Sequence, residues 1–387
     1  MKKIAFVSSG FTGSIMPLIQ KFLDDGFCVD LYLRLFKTQN QYEFEALEQK
    51  YKSFGYGVHF IPNQYVVGLN DKFKTKNFRF FLVCEFGFGQ SFFVKRIIAW
   101  ILQMVLSFRT ICKIKKEKYD FINVVGHGAM DAYISNRLRR FNVCQTFHET
   151  YDHAKKKTVL KSVENAIKAK IPIVLPSQHL QSVVRADYPD ALLHVIPFGL
   201  FENYTNFYKG EKLLRLPPKY ILFLGNLLPY KGLDLLIKAY ERIVKNGKSI
   251  KIVVAGNGRS ELLNIVNDNN DFVVLNRWIT NQEFAELIAR SQGLVCPYHS
   301  ASQSGLPSVA YLFRRKVIAT DVGGMAEYIK EPICGYLVPP NNIEVLSKYM
   351  SNMFDHDDFM DENSANYVMA NMGWDQIKNM YKEIFLR

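Results

Sequence analysis

Short apolar runs recur along this chain, each followed by residues whose apolar positions fall at helical spacing. That alternation constrains the fold more than any other feature. Residues 4–8 read as a buried strand, 14–25 as a helix stopped by Gly26, and 29–35 as a second strand. The plan repeats with strands at 121–125, 143–147 and 171–175 and a helix over 130–140. It restarts after residue 215, with strands at 220–224, 250–255, 272–275, 293–297 and 316–320 and a helix over 232–244. Strands that are apolar throughout belong to parallel sheets covered on both faces, and strand–helix–strand order builds such sheets. The expectation is an α/β chain of two Rossmann-like, doubly wound domains. Between them, residues 197–218 carry Pro-Phe-Gly, Asn-Tyr-Thr-Asn and Pro-Pro, which reads as a connector.

A length of 387 residues suits two or three domains, and 48% hydrophobic against 22% charged residues excludes global disorder. The net charge of +13 is unevenly placed: residues 1–200 hold 28 Lys and Arg against 16 Asp and Glu, and residues 201–387 hold 21 against 20. The basic half favours anionic partners. Of the six cysteines none lies within four residues of another, so no zinc or redox pair is legible, and free thiols in a reducing cytoplasm are expected. The first eleven residues do not read as a secretory leader. Residues 71–118 break the rhythm. Residues 71–81 interleave Lys and Arg with Phe, and 97–108 are apolar save Gln103 and Ser107, flanked by Lys95, Arg96, Arg109, Lys113, Lys115, Lys116 and Lys118. At twelve residues this run falls short of the ~20 a membrane span needs. It reads either as a helix lying on anionic lipid or as a core helix with solvated basic ends.

Three turns can hold phosphate. Ser9-Gly10-Phe11-Thr12-Gly13 joins a strand to a helix, where backbone N–H groups face an anion, although a tight turn alone is an equal reading. Lys231-Gly232 sets a cation beside a helix N-terminus, where like charge is unfavourable unless an anion lies between or the lysine points into water. The loop from His299 to Ser304 before Gly305, with the turn Asp321-Val322-Gly323-Gly324 and Glu327 after it, forms the third. All follow strand ends, where open α/β sheets bind ligands.

These residues resemble the retaining glycosyltransferases of family four, with the GT-B fold. The resemblance is carried over about 220–340 by Gly225 with Lys231-Gly232, Val253-Val254-Ala255-Gly256-Asn257-Gly258, Gln303-Ser304-Gly305, and Val317 to Gly324 with Glu327. Looser pieces are the Gly10–Gly13 turn, Val125-Gly126-His127, Thr146-Phe147-His148, Leu175-Pro176-Ser177 and Val195 to Gly199. The resemblance implies domains at 1–200 for the acceptor and 201–370 for the donor, with a final helix in 371–387 crossing back to the first.

It also implies site residues. Lys231 would hold the donor diphosphate, with Gly13 approaching from the other side and His127 near the reacting sugar. Arg277 and Ile279 would frame the base. Asn226, Gly256, Ser302, Gln303, Ser304, Gly305 and Glu327 would complete the donor site, with Lys231, His127 and Gln303 as the catalytic set. His148 has two readings, a direct role or a core histidine, and Glu327 is equally a helix cap. Two positions depart from the family: Asn226 stands where Arg is usual, and Ser302 and Ala310 stand where a pair of glutamates is usual.

The activity that the resemblance implies is transfer from a nucleotide-diphosphate sugar to a saccharide or lipid-linked acceptor in lipopolysaccharide or capsule synthesis. It would take place in the cytoplasm, peripheral to the inner leaflet at an anionic surface. No cofactor beyond the substrate, no essential metal and no nucleic-acid partner are expected. The rival readings are a nucleic-acid binder stacking bases on the Lys/Phe segment, a GT-B epimerase, and a phosphorylase of the same fold, which would want a lysine-bound pyridoxal phosphate and a longer chain.

Overall fold

The computed structural model describes residues 1–10, 12–36, 57–61, 73, 75–85, 93–150 and 159–385. The chain forms two compact units. The first holds Met1–Pro176, Leu180–Pro197 and Ile377–Arg387; the second holds Ser177–His179 and Phe198–Gln376. Apart from Ser177–His179, the chain passes to the second unit at Pro197–Phe198 and returns to the first at Ile377, inside the last helix.

In the first unit, β1 (Lys3–Ser8), α1 (Thr12–Asp24) and β2 (Cys28–Phe36) are followed by β3 (Gly57–Ile61), β4 (Phe78–Glu85) and α2 (Phe93–Glu117). Then come β5 (Phe121–Val125), α3 (Ala129–Leu138), β6 (Val143–Thr146), α4 (Lys161–Lys168), β7 (Ile173–Leu175), α5 (Gln178–Asp187) and β8 (Leu193–Val195). The sheet runs β3-β4-β2-β1-β5-β6-β7-β8, with β3 antiparallel to β4 and the other pairings parallel. From β1 the chain first winds outward through β2 and later resumes on the other side at β5, so the switch point lies between β1 and β5.

Two expectations for residues 71–118 are corrected here. Residues 78–81 are the start of β4, not a platform for bases: Phe78, Phe80 and Phe81 are buried in the sheet. Arg79 makes a two-point ion pair with Asp30 of β2, at 2.8 and 2.5 Å. The apolar run is not limited to twelve residues either. It lies in the 25-residue α2, and Ile97–Glu117 is long and apolar enough to cross a membrane by length and composition.

The second unit contains β9 (Ile221–Leu224), α6 (Leu233–Lys245), β10 (Ile252–Gly256), α7 (Leu262–Asn267), β11 (Phe272–Asn276), α8 (Asn281–Arg290) and β12 (Gly293–Cys296). These are followed by α9 (Leu306–Ala310), β13 (Val317–Thr320), β14 (Gly335–Val338), α10 (Ile343–Asp355), α11 (Glu362–Met372) and α12 (Trp374–Phe385), whose last residues return to the first unit. Its sheet is parallel in the order β11-β10-β9-β12-β13-β14. Alternate strand residues feed two cores: Leu222, Leu224, Val253 and Ala255 on one face, Ile221, Phe223, Ile252 and Val254 on the other. That double burial is why these strands are apolar at every position. The switch point lies between β9 and β12.

Candidate functional site

Lys231 stands at the switch point of the second unit, one residue before Gly232 opens α6. Gly232 is obligatory there: its φ is +74°, and a Cβ would lie 1.8 Å from the carbonyl oxygen of Pro297, at the end of β12. This close approach brings the lysine onto the loop after β12. Its Nζ lies 4.0 Å from the centroid of the Tyr298 ring and 5.2 Å from that of Tyr230. A cation over an aromatic face is favourable, but a ring carries no countercharge. Burial lowers the lysine's pKa, and burial pushes the neighbouring Cys296 thiol up to about 11 and the Tyr298 hydroxyl well above its usual value. Both therefore stay neutral near pH 7. Among the described residues no carboxylate lies within ion-pair distance of Lys231 Nζ.

The loop is fastened on both sides. The His299 N–H donates to the Tyr230 carbonyl at 2.8 Å, and His299 Nε2 lies 2.7 Å from Asp234 Oδ1 in the first turn of α6. Burial pushes the Asp234 carboxyl up, but the hydrogen bond and charge of His299 outweigh it, and its pKa lies below the ordinary carboxylate value. Thr320, ending β13, donates its hydroxyl to the Tyr298 carbonyl at 2.5 Å. Gly323 has φ +55°, and a Cβ there would fall 1.6 Å from the Ala301 carbonyl oxygen, so the second glycine turn packs directly on the loop backbone.

Within this loop Ser302 and Ser304 are buried, and Gln303 is half-buried with its Oε1 shielded and lacking a hydrogen-bond partner among the described residues. Gly305 leads into α9.

The other expected donor residues are more dispersed. Asn226 is exposed after β9, and Gly256 ends β10 beside Asn276. Arg277 is held by Glu283 at 2.8 and 2.7 Å, and that bond keeps the Glu283 carboxyl at about 2. Ile279 packs on the core, and Trp278 is exposed. The Glu327 carboxylate accepts the N–H groups of Gln178 and His179 at 2.7 and 2.9 Å, one on each oxygen.

Sequence reasoning missed Tyr298 and the His299–Asp234 tie. Arg259 lies exposed on the loop after β10, and that loop is joined to the segment after β9 by the Leu227 N–H bond to Asn257 O at 3.0 Å. The only legible signal for Arg259 is the Gly-Asn-Gly turn before it.

In the first unit, Gly13 lies in the first turn of α1, and Gly126-His127-Gly128 follows β5. Asp131 of α3 accepts the Gly128 N–H and the Ser9 hydroxyl, each at 3.0 Å, and pairs with Arg34; both ion-pair partners are buried. The pair thus braces the loops after β1 and β5. His127 is exposed. His148 is buried, and burial, then the nearby His127, pushes its pKa down to about 3, which makes it a neutral core histidine.

Residues 218–356 match the family described as Glycosyl transferases group 1. Alpha-D-kanosaminyltransferase of Streptomyces kanamyceticus is 24% identical over 178 residues, 43% of this chain and 46% of that protein. Poly(ribitol-phosphate) alpha-N-acetylglucosaminyltransferase of Staphylococcus aureus is 23% identical over 222 residues, 54% of this chain and 42% of that protein. The chain spans about half the length of the curated relatives it matches. Sucrose-phosphate synthase from Thermosynechococcus elongatus superposes over the full length of both chains with a TM-score of 0.69 at 14% identity. The two sheets are those of the GT-B fold, and the match to the glycosyl transferases group 1 lies within the second unit.

Proposed function

We propose that this protein is a retaining glycosyltransferase that moves a sugar from a nucleotide-diphosphate donor to a saccharide or lipid-linked acceptor. The observation that carries the reading is Lys231, a cation set on an aromatic face at a sheet switch point with no carboxylate among the described residues to answer it. The missing countercharge is the donor diphosphate. As the bond from the sugar C1 to the phosphate oxygen breaks, negative charge grows on that diphosphate. Lys231, held in place in advance, stabilises it without reorganisation. The departing phosphate oxygen takes the proton of the acceptor hydroxyl, so no enzyme carboxylate need attack the sugar. Glycosidases, by contrast, use a carboxylate pair.

Gln303 offers a neutral hydrogen-bonding group to the sugar where the family usually has Glu, and Arg259 is the cation we assign in place of the arginine usual at Asn226. His127 belongs to the proposed catalytic set on the family resemblance alone. No metal or cofactor takes part in this scheme. We place the reaction in surface-polysaccharide synthesis in the cytoplasm, beside the inner leaflet. Relatives named for a poly(ribitol-phosphate) polymer and for the O-antigen chain support that setting.

The test is a panel of UDP-, GDP- and dTDP-sugars offered with saccharide and lipid-linked acceptors, reading nucleoside-diphosphate release and the anomeric configuration of the product by NMR. One donor should be consumed with its configuration kept. Inversion at C1, or no release from any donor, would contradict the proposal.

A further inference from the structure

Helix α2 turns an apolar face outward. Ile97, Ile98, Trp100, Ile101, Val105 and Phe108 are each 43–56% exposed. The opposite face buries Leu106, Ile111 and Ile114 together with Gln103, Ser107 and Thr110, and the Ser107 hydroxyl has no hydrogen-bond partner among the described residues. A helix whose outer face meets water carries polar residues there, because exposed Ile, Trp and Phe forgo burial. A contiguous apolar stripe of this kind marks a surface with a partner.

The same stripe continues at helical spacing into Arg109, Lys115 and Lys116, all exposed. Its chemistry selects the partner: protein interfaces deplete lysine at their centres, whereas an apolar arc ending in basic residues, with Trp at its margin, matches an anionic bilayer surface. The helix does not cross the bilayer. Ile111 and Ile114 belong to the core of the first unit, and Glu117 pairs with Arg79 at 2.7 Å and Lys3 at 2.6 Å. Those two partners hold the Glu117 carboxyl at about 2. The inner face and the C-terminal end are therefore committed to the sheet.

We propose that the outward face of α2 docks the first unit flat on an anionic phospholipid bilayer. Ile97, Ile101, Val105 and Phe108 enter the boundary between headgroups and acyl chains, and Arg109, Lys115 and Lys116 lie against lipid phosphates. The purpose, presenting the protein to a lipid-linked acceptor, rests on the transferase reading, whereas the docking itself does not.

The full-length protein is sedimented with phosphatidylcholine vesicles and with vesicles that also contain phosphatidylglycerol, at low and high salt. Wild type should partition at least about tenfold better onto the anionic vesicles at low salt, since each basic residue near such a surface adds a favourable increment. The double variant I101D/F108D should lose binding about a hundredfold with an unchanged Tm, because both positions are exposed. The triple variant R109Q/K115Q/K116Q should keep only the weak, salt-insensitive binding to neutral vesicles. The proposal is overturned if wild type binds neither vesicle, or if I101D/F108D binds as wild type does. It is also overturned if wild type forms a dimer that I101D/F108D dissolves while vesicles stay unbound, because a second copy would then cover the face. Nucleotide-induced stabilisation of the same preparations is read separately. Its loss with docking intact removes the transferase reading alone, and its presence without docking removes this one alone.

Discussion

At Lys231 the fold sets a cation on the ring of Tyr298, surrounds it with groups that stay neutral, and leaves the countercharge to come from outside. Lys231→Ala should lower transfer by at least about a hundredfold, the usual cost of removing one preorganised group at developing negative charge, as measured by initial rates of nucleoside-diphosphate release. His148 makes a different prediction. Its folded pKa of about 3 lies below the ordinary 6.5, so the unfolded chain binds the extra proton between those values. The stability it contributes is complete above pH 6.5 and is lost as pH falls toward 3, by about 2 kcal/mol at pH 5. In thermal melts from pH 7 to 5, His148→Gln should flatten the decline seen in wild type. Lysine and glycine at 231 and 232 were legible because their types and spacing are unusual for a helix start. Tyr298 was not, because only the folded chain shows that this tyrosine lies beneath the lysine.

Among the elements, the tie between the helix start and the loop after β12 depends on Gly232. Gly232→Ala must place a Cβ 1.8 Å from the Pro297 carbonyl oxygen at a φ of +74°. The expected cost is about 2 kcal/mol or more, seen as a Tm drop of roughly 5 °C, with weaker nucleotide binding because Lys231 shifts with its neighbour. Most strands were legible from their uninterrupted apolar runs, a direct consequence of burial on both faces. β4 was not, because Arg79 interrupts its apolar run to reach Asp30, and a cation among phenylalanines reads as a surface. β8 and β14 were not, because both are edge strands with half-buried positions and so lack the fully buried apolar run of the inner strands. For α2 the sequence shows apolarity but not which residues face outward, because both faces carry apolar residues.

For the whole molecule, the last helix is shared: Ile377–Arg387 counts with the first unit, where Tyr381 and Phe385 are buried and Lys378 pairs with Asp25 at 2.9 Å. A chain ending at Gln376 should melt with the first unit's transition lowered by several kcal/mol, at about 1.5–3 kcal/mol per buried aromatic side chain, while the transition of the second unit is kept. Differential scanning calorimetry separates the two. The central claim is that the second unit binds a nucleoside diphosphate through Lys231, and its most direct measurement is the thermal shift of wild type and Lys231→Ala with UDP, GDP and dTDP. One nucleotide at about a hundred times its Kd should stabilise wild type by about 2.7 kcal/mol, a Tm rise of roughly 5 °C, and leave Lys231→Ala unmoved. An equal rise in both proteins, or none with any nucleotide, would contradict the account.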